Sequence, residues 1–288
     1  MDQKTNNRPL FIKLSVVFVI YISLMITFTF FDYKITNHLF NPGTTFGKIF
    51  EVLGPSPMPL FVIYSGISLF FVTFKRRITQ IFSYIGLSFA LLYTSFMGVM
   101  SFKHSYAAWM FIPSIIIYVL LIAFSLLLNI KIDGAGIDFK KKHKMICLCI
   151  FIVSFSSIFG SDLIKSIFGR VRYINLDSIE NYYPWYHINK FDFNSSFPSG
   201  HASRSLTLIC ASFILFYFNH EKWAFIIEII SVLFAITVSI SRLFEGMHYP
   251  ADVTTGMFIT IVPYIVCKHW LMTATKKDAS LETPFEPN

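Results

Sequence analysis

The sequence predicts an all-α protein that crosses a lipid bilayer several times. Of its 288 residues, 55% are hydrophobic and only 14% are charged, a composition unlike that of a soluble globular domain. The apolar residues form long runs that are nearly free of charge, as the hydrocarbon core of a membrane requires. The runs have no apolar stripe on one side, which argues against helices that lie flat on a membrane surface.

Eight of these runs have the length of a membrane span, since a helix rises about 1.5 Å per residue and the hydrocarbon core is ~30 Å thick. The predicted spans are 11–31, 57–74, 81–100, 107–130, 145–164, 201–219, 223–241 and 251–268. The first run is too long for a cleaved secretion signal and is expected to be retained. We expect a single membrane domain over 1–275 and a disordered polar tail at 276–288.

The placement of Lys and Arg predicts the orientation of these spans. With the N-terminus inside, the inner connectors receive most of the basic residues, including those at 75–77 and 140–144. We therefore expect a multi-pass protein of the cell (cytoplasmic or inner) membrane with both termini in the cytoplasm. The net charge of +8 does not form one basic face and no nucleic-acid module is visible, so no nucleic-acid partner is expected. The sequence also gives no sign of an obligate protein partner.

The first of three polar islands in this apolar chain follows the fifth span. Lys165 and Arg172 stand two helical turns apart, which places them on one side of a continuing helix. Each cation could simply extend its charged end toward the headgroups. Together with Arg170, however, they concentrate positive charge on the predicted outer face, whereas Lys and Arg normally collect on the inner face. This exception indicates an anion site.

The second island, Pro198 to His201, opens the sixth span. The first amides of a helix favour an anion, and Gly200 allows close approach of the backbone. His201 adds a group that titrates near neutrality. The alternative is that Ser199 merely caps the helix and His201 lies at the membrane interface. Arg204, one turn later, reaches either the same site or the lipid headgroups.

The third island joins spans seven and eight. Ser241 and Arg242 end one span, and His248 precedes the next, where Pro250 suits a first helical turn. Asp252, four residues after His248, can accept the proton of the imidazole Nδ1, which would leave Nε2 as nucleophile or base. The alternative is a histidine and an aspartate that are merely hydrated at a helix start.

The predicted topology returns all three islands to the outer face, where together they indicate a phosphate site. Charge-assisted hydrogen bonds from the cations to phosphate oxygens are each worth roughly 1.5–3 kcal/mol. One histidine can attack phosphorus while the other donates a proton to the departing oxygen. Because no carboxylate cluster suited to Mg²⁺ accompanies them, we expect no metal and no other cofactor.

The three islands resemble the signature of the type 2 phosphatidic acid phosphatase (PAP2) superfamily, which is related to vanadium haloperoxidases and glucose-6-phosphatase. The matching residues are Lys165-x6-Arg172, then Pro198-Ser199-Gly200-His201, then Ser241-Arg242-x5-His248-x3-Asp252. The motif-bearing part is 145–268. Tyr173 departs from the pattern, because the family has proline after the arginine.

The resemblance implies a role for each matching residue. His248 would be the nucleophile that forms a phosphohistidine, Asp252 its orienting partner, and His201 the acid for the leaving group. The residues implied to bind the phosphate are Lys165, Arg172, Ser199, Gly200 and Arg242. It also implies a metal-independent enzyme with a six-helix core, and the two additional spans at 81–130 are then interpreted as an inserted helix pair.

We therefore expect a membrane lipid phosphatase that acts at the extracytoplasmic face. Candidate substrates are undecaprenyl pyrophosphate, phosphatidylglycerophosphate, phosphatidic acid and lipid A, with family frequency favouring the polyprenyl pyrophosphate. One alternative is a lipid phosphotransferase, which burst kinetics without net phosphate release would identify. The other is a non-catalytic lipid-phosphate binder or transporter, although binding alone does not require two histidines and Asp252.

The outer loop at 173–197 is rich in aromatic residues. Aromatic rings at headgroup depth commonly form an interfacial belt. The alternative is a lid that contacts the substrate.

Overall fold

The computed structural model describes residues 7–71, 108–133, 136–189 and 195–281. Every regular element in these ranges is helical, which confirms the all-α prediction. The α-helices are α1 (Arg8–Leu39), α2 (Thr45–Leu53), α3 (Pro57–Phe71), α4 (Ala108–Asp133), α5 (Ile137–Phe168), α6 (Gly200–Ser205), α7 (Ala211–Tyr217), α8 (Glu221–Phe244) and α9 (Pro250–Leu281). Short 3₁₀ helices lie at Tyr173–Asn175, Ile179–Asn181 and Leu206–Cys210.

The chain is a multi-pass membrane protein. Within the described ranges, five helical stretches are long and apolar enough to cross a membrane: Arg8–Leu39, Thr45–Leu69, Ile137–Asn175, Glu221–Phe244 and Pro250–Ala274. α4 covers residues 108–130 of the predicted span 107–130, and a shorter apolar stretch, Ile122–Ile132, lies within it. The predicted span 81–100 lies outside the described residues, so the count of eight and the inserted helix pair remain predictions.

The predicted sixth span, 201–219, is not one continuous α-helix. It is divided into α6, a 3₁₀ turn and α7. Hydroxyl groups along it donate to carbonyls three residues earlier: Ser205 to Ala202 at 3.0 Å, Thr207 to Arg204 at 2.6 Å and Ser212 to Ile209 at 2.7 Å. Such bonds compete with the regular α-helical pattern and favour a locally tighter turn.

α9 is the central helix, and it packs against α1, α5 and α6. Two positions without a side chain allow this close packing. A Cβ at Gly256 would collide with the carbonyl oxygen of Ser199, and one at Gly160 would lie 2.9 Å from Ile259 Cγ2. The start of α9 is therefore held directly against the turn that leads into α6, which brings two of the polar islands together.

α9 also extends farther than expected. Residues 276–281 are helical, although the sequence predicted that the disordered tail begins at 276. This segment contains Lys, Ala and Leu and lacks Gly and Pro, so its residues can continue a helix. Residues 282–288 lie outside the described residues.

The described part of the aromatic loop, 173–189, packs on the C-terminal half of α1. The Tyr173 hydroxyl donates to Asn37 Oδ1 at 2.6 Å, and the Trp185 indole nitrogen donates to Thr29 Oγ1 at 3.1 Å. The rings of Tyr33 and Tyr182 meet edge to face at 5.3 Å. The loop therefore joins α1 to the first polar island.

Candidate active site

The two histidines of the separate islands lie side by side. The ring centroids of His201 and His248 are 6.5 Å apart, with the ring planes tilted by 55°. The main chain joins the two islands as well, because the Ser199 amide donates to the Asp252 carbonyl at 2.9 Å. This separation allows one tetrahedral anion to contact both imidazole rings.

Cations of the first and third islands lie near this pair. Lys165 and Arg172 lie close enough to His248 for their charges to lower its pKa. The charges of Arg242 and Lys165 also act on His201. The structure therefore brings together every residue that the sequence singled out for the site: Lys165, Arg172, Ser199, Gly200, His201, Arg242, His248 and Asp252.

Arg242 is held in place from α2. Its side chain is buried, with Nη2 donating to the carbonyl of Gly47 and Nε donating to Ser241 Oγ at 3.2 Å. The Glu245 carboxylate occupies the space that a side chain at position 47 would need, and it accepts from the Gly43 amide at 3.0 Å. α2, which no motif identified, thus positions one of the site's cations.

A main-chain oxygen orients His248. Its Nδ1 lies 2.7 Å from the carbonyl oxygen of Ser196, whereas the nearest Asp252 oxygen is 3.7 Å away. A carbonyl can only accept, so Nδ1 carries the proton and Nε2 keeps its lone pair. The short hydrogen bond predicted for Asp252 is therefore made by Ser196, and Asp252 acts on the ring as a nearby negative charge.

The protonation state of His248 suits a nucleophile. Burial lowers its pKa to about 4, the neighbouring Asp252 opposes this shift, and Lys165 and Arg172 reinforce it. The imidazole is therefore neutral at pH 7, because its pKa lies well below the ordinary value of about 6.5.

Asp252 is itself fixed by several partners. Its Oδ1 accepts from Arg170 Nη1 at 2.6 Å and its Oδ2 accepts from the Tyr249 amide at 2.8 Å. Arg170 also pairs with Asp32 of α1, with 2.7 Å between Nη2 and Oδ2. Arg170 was expected only as one of the positive charges of the first island, and no sequence motif includes Asp32. A carboxylate at the end of an apolar span was the signal that could have identified Asp32.

In the second island the structure shows the helix cap that the sequence offered as one interpretation, and anion binding there stays a prediction. Ser199 caps α6, since its hydroxyl accepts from the Ala202 amide at 3.3 Å. Gly200 lies against Arg204, whose guanidinium would be 3.4 Å from a Cβ at position 200. Arg204 is bound by both oxygens of Asp162 on α5, at 2.9 and 2.8 Å. Arg204 thus lies beside Gly200 at the edge of the site, and its guanidinium is paired with the Asp162 carboxylate.

Comparison with known proteins supports the resemblance drawn from the motifs. The model of the PAP2 superfamily matches residues 144–276, which include all three islands. A lipid A 4'-phosphatase from Bacteroides thetaiotaomicron is 28% identical over 125 residues, which cover 42% of this chain and 53% of that relative. The chain therefore spans about half the length of this curated relative. No solved structure matches.

Proposed function

We propose that this membrane protein is a lipid phosphatase that hydrolyses a phosphomonoester or a pyrophosphate, because residues 144–276 match the model of the PAP2 superfamily. The observation that carries the proposal is the pair formed by His201 and His248, whose ring centroids are 6.5 Å apart near the buried Arg242 and the half-buried Lys165 and Arg172. A binding protein for phosphate would need the cations only. A neutral, oriented imidazole beside a second imidazole is what nucleophilic catalysis requires.

In the first step, His248 Nε2 attacks phosphorus and the bond from phosphorus to the leaving oxygen breaks. His201, which takes up a proton when the phosphate anion binds beside it, donates that proton to the leaving oxygen, so the lipid departs as an alcohol or a lower phosphate. Lys165, Arg172 and Arg242 bind the non-bridging oxygens and stabilise the charge that develops there. The product on the enzyme is a phosphohistidine.

In the second step, a water molecule attacks the phosphohistidine. His201, now neutral, accepts a proton from that water while the phosphorus–nitrogen bond breaks. Inorganic phosphate leaves and both histidines return to their starting states. A lipid hydroxyl in place of water would give a phosphotransferase.

The proposed substrate is a phosphorylated membrane lipid. The relative's name makes a lipid A phosphate the first candidate to test. Undecaprenyl pyrophosphate, phosphatidylglycerophosphate and phosphatidic acid complete the panel. The reaction is assigned to the extracytoplasmic face, on the basis of the Lys and Arg distribution.

The test measures phosphate release from this lipid panel in mixed micelles containing EDTA. We expect the wild type to remain active under chelation and His248→Ala to lose about three orders of magnitude or more, as for other nucleophile removals. His220→Ala is the matched control, because His220 is exposed at the start of α8 and should keep activity within about twofold.

Two results would overturn the mechanism: strict dependence on an added metal, or normal turnover by His248→Ala. Transfer of phosphate to a lipid hydroxyl without net phosphate release would instead identify the phosphotransferase.

A further inference from the structure

One guanidinium joins two buried carboxylates that lie far apart in the sequence. Arg170 Nη2 is 2.7 Å from Asp32 Oδ2, and Arg170 Nη1 is 2.6 Å from Asp252 Oδ1. All three side chains are at most 1% exposed. The ring of Tyr249 covers the guanidinium, with its centroid 4.0 Å from Cζ. We call Asp32, Arg170 and Asp252 the charge triad.

The same two carboxylates bind the main chain at the start of α9. Asp32 Oδ1 accepts from the Ala251 amide at 2.8 Å, and Asp252 Oδ2 accepts from the Tyr249 amide at 2.8 Å. These amides flank Pro250, which has no N–H of its own. Asp32 therefore fixes the short segment that connects His248 to Asp252.

The charge of the triad also depends on Asp32. Two carboxylates share one guanidinium, so a net negative charge remains beside His248, whose Nδ1 is 3.7 Å from Asp252 Oδ2. Without Asp32, the guanidinium would neutralise Asp252 alone. Arginine favours two parallel hydrogen bonds to a single carboxylate, and such a pairing would draw Oδ2 away from the Tyr249 amide and from His248.

We propose that Asp32 is a positioning residue for the phosphatase reaction: by occupying one arm of Arg170 and the Ala251 amide, it keeps Asp252 oriented and negatively charged beside His248. The proposal rests on the proposed function. It extends the site to α1, which lies outside the segment matched by the family model. Asp32 does not touch the substrate and acts through Arg170 and Asp252.

The test compares Asp32→Asn with the wild type in kcat, in KM, and in the inhibition constant of inorganic phosphate. We expect kcat to fall about tenfold or more. KM and the phosphate inhibition constant should stay within about threefold, because Lys165, Arg172 and Arg242 are not altered. An unchanged kcat, or a loss confined to phosphate affinity, would overturn the proposal.

A double-mutant cycle separates positioning from general destabilisation. If Asp32 acts through Asp252, then Asp32→Asn should change kcat less than about threefold in the Asp252→Asn background. Equal losses in both backgrounds would overturn the proposal. Glu228→Gln is the matched control, since it also removes a carboxylate from an ion pair, with Lys268 at 2.6 Å. It lies on α8 about 21 Å from Arg242, at about 1.5 Å per residue, and we expect it to leave kcat unchanged.

Arg170→Lys gives an independent test if Asp32→Asn fails to fold. Lysine keeps the charge but lacks the planar fork that contacts both carboxylates, so kcat should fall while phosphate inhibition is unchanged. Wild-type kcat in this variant would count against the proposal. The His248→Ala variant distinguishes the two proposals. Normal turnover by His248→Ala contradicts the proposed function. If His248→Ala is inactive and Asp32→Asn is fully active, only the role of Asp32 is contradicted.

Discussion

The neighbours of His248 shift the pKa of its imidazole in opposite directions. Burial and the charges of Lys165 and Arg172 favour the neutral ring, while Asp252 favours the imidazolium. The balance leaves a neutral imidazole whose Nδ1 is bonded to the Ser196 carbonyl. A phosphohistidine carries more positive charge on the ring than the free imidazole does, so the same Asp252 charge that is outweighed at rest would stabilise the intermediate.

The pKa of His248 gives a direct prediction. Because burial disfavours the charged form, the ring should stay neutral as the pH falls, with a titration midpoint near pH 4. The measurement is a ¹³C-histidine NMR titration in detergent micelles, with His248→Ala used to assign the resonance. A midpoint near the ordinary value of about 6.5 would contradict the environment described for this ring.

Residue types and their spacing were enough to find the reacting groups but not their supports. His201, His248 and the cations were identified from short motifs, because each carries a chemistry that few residues share. The Ser196 carbonyl could not be identified, since every residue has a carbonyl and only the folded path decides which one faces His248. Asp32 and Arg170 form an ion pair only in the folded chain, where α1 packs on α9 and Arg170 contacts a carboxylate from each helix.

Helix packing brings the islands into contact, and Gly256 is central to it. The close approach of α9 to the turn before α6 depends on the missing side chain at this position. The Ser199 amide then reaches the Asp252 carbonyl at 2.9 Å. The division of 201–219 into three helical pieces was not apparent from hydropathy, because it arises from hydroxyl side chains rather than from apolar content.

Gly256→Ala should therefore separate the second and third islands. The added methyl group would meet the Ser199 carbonyl oxygen and lie 3.3 Å from Ala202 Cβ, contacts with little freedom to move. We expect a loss of about 1–3 kcal/mol in the free energy of unfolding, together with reduced turnover. The check is thermal unfolding and phosphate release in detergent.

Gly136→Ala serves as the control for this variant. A Cβ at Gly136 would have no neighbour within 4 Å, and its φ of −62° is open to any residue. If both alanine variants unfold at the same temperature as the wild type, the close approach at Gly256 does not determine stability.

The molecule as a whole places its polar site at one end of a largely apolar helical assembly. Composition and run length predicted this architecture correctly, because a bilayer imposes strong limits on which helices can cross it. The count of eight spans stays a prediction, because the predicted span 81–100 lies outside the described residues. Charge bias predicts that the loop 173–189 is outside and that the connector before α5 is inside.

This orientation can be tested with single cysteines. Ser178 and Asp138 are both exposed, on the loop and in the first turn of α5. In intact cells, a membrane-impermeant maleimide should label Ser178→Cys, and it should label Asp138→Cys only after the membrane is permeabilised. The native cysteines Cys147, Cys149, Cys210 and Cys267 are buried, so background labelling should be low. The reverse labelling pattern would place the site in the cytoplasm.

The hydrogen bond from His248 to Ser196 has a consequence for how this site can change during evolution. A backbone oxygen remains when its side chain is replaced, so no single substitution at position 196 deletes the acceptor. The turn is anchored at both ends by main-chain bonds, from the Ser196 amide to Arg170 at 2.8 Å and from the Ser199 amide to Asp252 at 2.9 Å. The path of the backbone therefore determines which ring nitrogen of His248 carries the proton. Insertions or deletions between 195 and 199 should disturb this tautomer more than point mutations do.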